Sequence, residues 1–214
     1  MIYINIKKKK KQPTQERFMN SSLILASLSP RRQELLKSAG YNFKVITNPN
    51  VDESLNKKLS PIKATLYLAK KKAYATKDII KEENLKNSLG ILGADTLVFY
   101  KNQVIGKPKN LAQAKEILSL LSNRWHKVVT SICYINPSGK CYSRYCVSKV
   151  RFRKLSASDI DVALSHNEWQ DAAGGYKIQS HGVAMVEKVA GSLTNIIGLP
   201  VQEVVAILSK KCNK

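Results

Sequence analysis

The chain is poor in several things. Only 15 of its 214 residues are acidic, against 36 Lys and Arg, and only three are histidines, His126, His166 and His181. No Ser–His–Asp arrangement can be read from them, and His126 reads as a structural strand residue. The four cysteines (Cys133, Cys141, Cys146 and Cys212) fit no zinc spacing and read as reduced thiols. No apolar run approaches the roughly 18–20 residues that span a bilayer, and the basic start is followed by polar residues rather than the apolar segment of a secretory signal. A cytoplasmic protein without a membrane partner is expected. Apolar residues make up 43% of the chain, which is enough for one large domain or two lobes on a shared core.

The formal charge of +21 points to an anionic partner: nucleic acid, a membrane surface or phosphate groups. Much of it is scattered, as in Lys70-Lys71-Lys72 and Lys210-Lys211, so charge alone names none of these. The unbroken run Lys7 to Lys11 repels itself. Residues 1–18 are therefore expected to be a disordered basic extension, with the domain proper over 19–214 and Met19 as an alternative start.

Leu23 to Ala26 reads as a buried strand, followed by a helix with Ser29 as N-cap, Pro30 at its first position and Gly40 at its end. Further strands are expected at Phe43–Ile46, Ile91–Phe99 (interrupted by Gly93), His126–Tyr134, Tyr142–Phe152 and Val183–Val189. Helices are expected from Pro61, over Leu111–Leu121, over Ser156–Leu164 with Ser156 as cap, and over Val201–Leu208. Strands and helices alternate at first and strands then pair locally, which predicts an α/β fold with a mixed sheet.

Four segments carry chemistry. Ser27-Leu28-Ser29-Pro30-Arg31-Arg32 ends a strand and opens a helix, so free backbone N–H groups, the helix dipole and two guanidinium forks face one place. It reads equally as an anion site or as a capped helix with surface arginines. In Gly93-Ala94-Asp95-Thr96 an acid lies in an apolar strand, to activate water, to hold a cation, or to cap a turn. Gly106-Lys107-Pro108 aims one lysine, without P-loop spacing. In Ala173-Gly174-Gly175-Tyr176-Lys177-Ile178-Gln179 the glycines permit close backbone approach to a ligand, or a tight turn, and Gln179 offers a donor and an acceptor. Glu53, in Val51-Asp52-Glu53, is a further candidate acid.

Taken together, these segments resemble the Maf family of nucleotide pyrophosphatases. The likeness runs in order from Leu23 to Leu208 through LILASLSPRRQELL, VDE, Lys71-Lys72-Ala73, GADTLV, IGKP, His126 to Thr130, AGGYKIQ and GSLTNIIGLP. The resemblance implies an elongated, two-lobed fold with a central cleft, similar to the inosine triphosphate pyrophosphatases. It implies hydrolysis of a nucleoside triphosphate to the monophosphate and pyrophosphate with Mg²⁺ or Mn²⁺, in the cytoplasm, by a protein that is often a homodimer. By the same likeness Asp95 is the proton acceptor. Ser27, Arg31, Arg32, Lys72 and Lys107 are phosphate-site residues, and Glu53 and Asp95 are the metal-site acids. Arg31, Thr96 and Gln179 match the branch acting on dTTP and UTP, with Thr96 and Gln179 facing the pyrimidine or the groups that orient it. Leu28 and His181 depart from the family pattern near the presumed pocket. A nucleic-acid partner is not expected. The competing reading is a binding-only regulator of cell division on the same fold.

Overall fold

A computed structural model of the chain describes residues 22–54, 59–101 and 103–212. The basic extension expected over 1–18, and Met19, lie outside the described residues. The elements in chain order are β1 (Leu23–Leu25), α1 (Pro30–Ser38), β2 (Phe43–Val45), α2 (Pro61–Ile79), α3 (Glu82–Lys86), β3 (Ile91–Tyr100), β4 (Gln103–Ile105) and α4 (Leu111–Leu121). They continue with β5 (Trp125–Ile135), β6 (Cys141–Phe152), α5 (Ala157–Ser165), β7 (Val186–Ala190), α6 (Leu193–Ile197) and α7 (Val201–Cys212). One-turn 3₁₀ segments at Glu168–Asp171, Ala173–Gly175 and His181–Met185 fill the stretch before β7.

The mixed sheet is as expected. Its order is β2-β1-β3-β5-β6-β7, with β4 paired to β3. β1 is parallel to β2 and β3, and the remaining pairs are antiparallel. Three details differ from the sequence reading. β3 runs unbroken through Gly93, which pairs with Cys133. β4 was not foreseen: three residues after a tight reversal carry too little pattern to register. The last strand begins at Val186 rather than Val183, because His181–Met185 coils into 3₁₀ turns.

Successive residues of a strand face opposite sides of a sheet, and the core divides accordingly. Leu23, Leu25, Leu92, Ala94, Ile132 and Tyr134 face α1 and α7. Ile24, Ile91, Cys133 and Ile135 face α2, whose buried stripe includes Ala69 and Ala73. Farther along the first face lies a second apolar cluster around Val98, Val128, Phe152 and Leu118, covered by α4 and α5. His126 belongs to it as the structural residue expected: it is buried, its Nε2 lies 2.7 Å from Tyr176 Oη, and burial lowers its pKa to about 4. Ser156 caps α5 with a reciprocal Asp159 bond, the capping box.

What positions the site is an interruption at one edge of β3. The β1–β3 pairing ends at Leu25↔Leu92, and β4 joins only from Val98 onward. Between them the edge of residues 93–97 has no strand neighbour, and a cleft opens there beyond the carboxyl end of β1, where ligands of open α/β sheets gather.

Candidate functional site

The cleft has a volume of about 910 Å³ and is lined by Arg31, Arg32, Lys72, Lys107 and Lys177 against Glu53, Asp95 and Asp171. The size suits a small ligand, and the charge balance suits an anionic one. A smaller groove of about 490 Å³, beside α5, is floored by Val162, Ala163 and Met185, and its arginine, Arg153, is already held by Asp159 at 2.8 Å.

The phosphate-like end is built on the start of α1. Ser29 stands at the N-cap and Pro30 in the first helical turn, as expected, but the Ser29 side chain makes no capping bond. The hydroxyl of Ser27 turns back instead, accepting from Ser29 N (3.3 Å) and from Arg32 Nη1 (2.9 Å). With its oxygen thus engaged, the Ser27 hydroxyl proton is left to donate. The uncapped N–H groups of the first turn are left for an anion. Leu28 is 71% exposed at the lip of the cleft. Arg31 reaches across to donate to the Asp171 carbonyl at 3.1 Å.

Arg32 lies deeper than its sequence neighbour and is buried. Its Nε donates to the Gly198 carbonyl (2.9 Å), Nη1 to Ser27 and Nη2 to Thr96 Oγ1 (3.1 Å). Burial lowers its pKa, partly offset by the charge of Asp95. Three of five N–H donors are thereby committed, leaving two. Thr96 is committed as well: its hydroxyl meets Thr130 Oγ1 at 2.9 Å and the Gly198 carbonyl at 3.2 Å. Thr130 in turn donates to the Asn195 carbonyl (3.0 Å), and Asn195 Nδ2 to Val128 O and Ser148 Oγ. Thr96 lines the cleft, and the group its oxygen orients in this structure is Arg32. That oxygen is a link in a polar layer running between the two apolar clusters of that face. The sequence reading missed Thr130, Asn195 and Gly198 as parts of this layer. The signal for Asn195 and Gly198 lay in the TNIIG stretch, and that for Thr130 in the polar pair Thr130-Ser131 within an apolar strand.

Asp95 points to the opposite face, toward α2. Lys72 lies on the buried stripe of α2, between Leu68 and Thr76. Gly93 lets that helix come close: a Cβ there would stand 2.4 Å from the Ala69 carbonyl and 2.9 Å from the Ala73 Cβ. The Lys72 ammonium consequently meets Asp95 Oδ1 at 2.7 Å and Glu53 Oε2 at 2.9 Å. The neighbouring pair, Lys71 with Asp52 at 2.9 Å, closes the same zipper, and that hydrogen bond holds the Asp52 carboxyl down at about 2. Asp95 is 5% exposed, and its Oδ2 is buried without a hydrogen-bond partner among the described residues. Burial pushes its pKa above the ordinary aspartate range, while Lys72 and Arg32 pull the other way. A carboxylate poised upward, with one oxygen held and the other unengaged, is suited to take a proton or to meet a cation.

Lys107 stands in the turn after β4 and Gln179 is exposed beyond Tyr176; both line the cleft. The glycine pair serves the protein rather than a ligand. Gly174 and Gly175 have φ of +79° and +74°, Gly174 N donates to Gly106 O at 3.1 Å, and a Cβ on Gly174 would press on Val98. The tight-turn reading of that segment is the one the backbone bears out. His181 lies outside the cleft lining, stacked on His166 with ring centroids 3.6 Å apart and with Nδ1 2.8 Å from Glu168 Oε1.

Fold and cleft define a class: an α/β protein with a basic polyanion cleft and a buried, lysine-held carboxylate at its floor. The family model "Maf-like protein" matches residues 22–211, and the chain belongs to this family. It is 42% identical over 196 residues to a dTTP/UTP pyrophosphatase of Treponema denticola, covering 88% of this chain and 96% of that protein. It is 40% identical over 189 residues to one of Caldicellulosiruptor bescii, covering 88% and 94%. Among solved structures, a HAM1 protein from Coxiella burnetii is similar with a TM-score of 0.45 at 17% identity, over 89% of this chain and 99% of that one.

Proposed function

We propose that this chain hydrolyses dTTP and UTP to the monophosphate and pyrophosphate. Its full-length likeness to curated dTTP/UTP pyrophosphatases supports the reaction. The observation that carries the site assignment is Asp95, with Oδ1 held by Lys72 and Oδ2 unengaged at the floor of a basic cleft. A binding-only regulator has no use for a buried carboxylate kept in that state.

The triphosphate lies along the start of α1. The Ser27 hydroxyl and the free N–H groups of the first turn donate to its oxygens, and Arg31, Lys107 and the two spare donors of Arg32 neutralise its charge. Asp95 Oδ2 accepts a proton from a water aligned on the α-phosphorus, and the bond to the pyrophosphate breaks as the water oxygen bonds to phosphorus. Lys72 holds Asp95 in register and faces the charge that builds on the leaving oxygens. Gln179 reads the pyrimidine edge, and Thr96 serves by holding Arg32.

Two carboxylates beside a triphosphate are the donor set that Mg²⁺ or Mn²⁺ takes. Among the described residues Asp95 Oδ2 has no hydrogen-bond partner and Glu53 is paired with Lys72, and both fit it. Bound there, such an ion supplies charge neutralisation on the phosphates. A homodimer acting in the cytoplasm, where these nucleotides are made and used, completes the proposal. The test is pyrophosphate release from a panel of nucleoside triphosphates with Mg²⁺ and with Mn²⁺. dTTP and UTP are expected to be the preferred substrates, and an Asp95→Asn protein as active as the parent would overturn the assignment of the base.

A further inference from the structure

Away from the cleft, the Sγ atoms of Cys133 and Cys141 lie 3.2 Å apart. The two are not opposite in register. Cys133 faces Ser143 and Cys141 faces Ile135, so they meet on a diagonal across the β5–β6 hairpin, on the face that α2 covers. Cys133 is buried, whereas Cys141 is partly open, with its Sγ 4.0 Å from Ser143 Oγ. Cys146 pairs with Thr130, and its odd offset from Cys141 turns it to the other face of the sheet. Apolar packing explains a thiol in a core, but it does not call for two sulfurs in contact on adjoining strands. A disulfide needs an S–S distance of ~2.05 Å, so the two sulfurs, now in contact as thiols, must close by about 1 Å to bond.

We propose that Cys133 and Cys141 form a reversible dithiol–disulfide pair, a modification site for two-electron oxidants of the peroxide class. Cys141, the accessible thiol, attacks the O–O bond. It becomes a sulfenic acid, and one oxygen of the peroxide leaves as water. Cys133 then displaces the hydroxyl from the Cys141 sulfur. The S–S bond forms, the S–O bond breaks, and the thiol proton leaves with the hydroxyl as a second water. Two thiols are oxidised and one peroxide is reduced. Burial pushes the Cys133 thiol upward, which disfavours it as the first nucleophile; its contact with the Cys141 sulfur is what places it for the second step. In a reducing compartment the pair stays open.

The sequence makes the test simple. Trypsin cleaves after Lys127, Lys140 and Arg144, so the two cysteines fall in separate peptides, 128–140 and 141–144. Reduced full-length protein is treated with hydrogen peroxide, its remaining thiols are capped with N-ethylmaleimide, and the digest is analysed by mass spectrometry. The expected result is a species joining these two peptides with the loss of two hydrogens, separated again by dithiothreitol. It should persist in Cys146→Ser and vanish in Cys141→Ser. The proposal is overturned if Cys141 stops at sulfenic or sulfinic acid beside a capped Cys133, if it pairs with Cys146 or Cys212, or if both thiols remain fully capped while the protein is folded.

Discussion

Replacing Asp95 by Asn separates catalysis from stability. In the folded protein this carboxyl is raised by burial, and Lys72 at 2.7 Å and the Arg32 charge recover only part of the cost. A group raised in the folded state gives its stability below its unfolded pKa, near 3.8, and loses it as pH rises through its folded pKa. At neutral pH Asp95 is therefore a net cost. Asn keeps the shape and removes that cost, although Lys72 then answers to Glu53 alone. D95N should be as stable as the parent or more stable, by on the order of 1 kcal/mol, or roughly 2–4 °C in melting temperature for a chain of this size. Pyrophosphate release should fall about 10²–10⁴-fold, the usual contribution of a positioned proton acceptor. Melting curves of both proteins at a series of pH values, beside the release assay, test this. The two curves should converge near pH 4 and separate as pH rises. If D95N instead loses several kcal/mol at neutral pH, Asp95 is a structural ion-pair partner and its raised state is not a catalytic adaptation.

Other changes probe the remaining parts of the site. Lys72→Met leaves the Asp95 carboxylate without its 2.7 Å partner; turnover should drop about 10²–10³-fold, and the acid limb of the pH–rate profile should move to higher pH. Gly93→Ala places a Cβ 2.4 Å from the Ala69 carbonyl; it should lower turnover by displacing α2 and Lys72, and circular dichroism should show the fold retained. Thr130→Val deletes the bonds to Thr96 and to the Asn195 carbonyl; the cost should be about 1–3 kcal/mol by denaturant melts, with weaker substrate binding as Arg32 loosens. His126, held neutral by burial with a pKa of about 4 against 6.5, resists a proton that the unfolded chain accepts. Stability should therefore fall by roughly 3 kcal/mol as pH drops from 6.5 to 4, a loss that His126→Gln should lack.

Much of this was legible in the sequence where the chemistry is local. The LILA run, Pro30 and Gly40 foretell β1 and α1, because a buried strand and a helix stop need only their own residues. Leu111–Leu121 falls on its expected bounds for the same reason. What was not legible is long-range. No spacing says that Lys72 meets Asp95, 23 positions on, although Lys72 interrupts an otherwise apolar stripe and so marks itself as unusual. Nor does a pair of adjacent arginines reveal that Arg32 turns inward while Arg31 spans the cleft. That division depends on Gly198, 166 positions away, offering its carbonyl. Ser29 does stand at the N-cap position ahead of Pro30, but no local pattern tells that its side chain leaves the first-turn N–H groups uncapped.

The arrangement follows from the parity of one strand. Asp95 and Thr96 are neighbours in β3, so their side chains leave opposite faces of the sheet. One face carries α2 and brings Lys72 to the carboxylate. The other carries the Thr130–Asn195 layer and holds Arg32 by way of Thr96. In a strand paired on both edges these two groups would be kept apart by the sheet. Here β1 ends before Gly93 and β4 begins at Val98, so both faces open onto the same unpaired edge. The Asp95 carboxylate, held from one side, and the Arg32 guanidinium, held from the other, therefore line a single gap. A β4 long enough to pair with all of 93–97 would close that edge with no change in any of these side chains, so the proposed chemistry depends on the length of the gap as much as on Asp95.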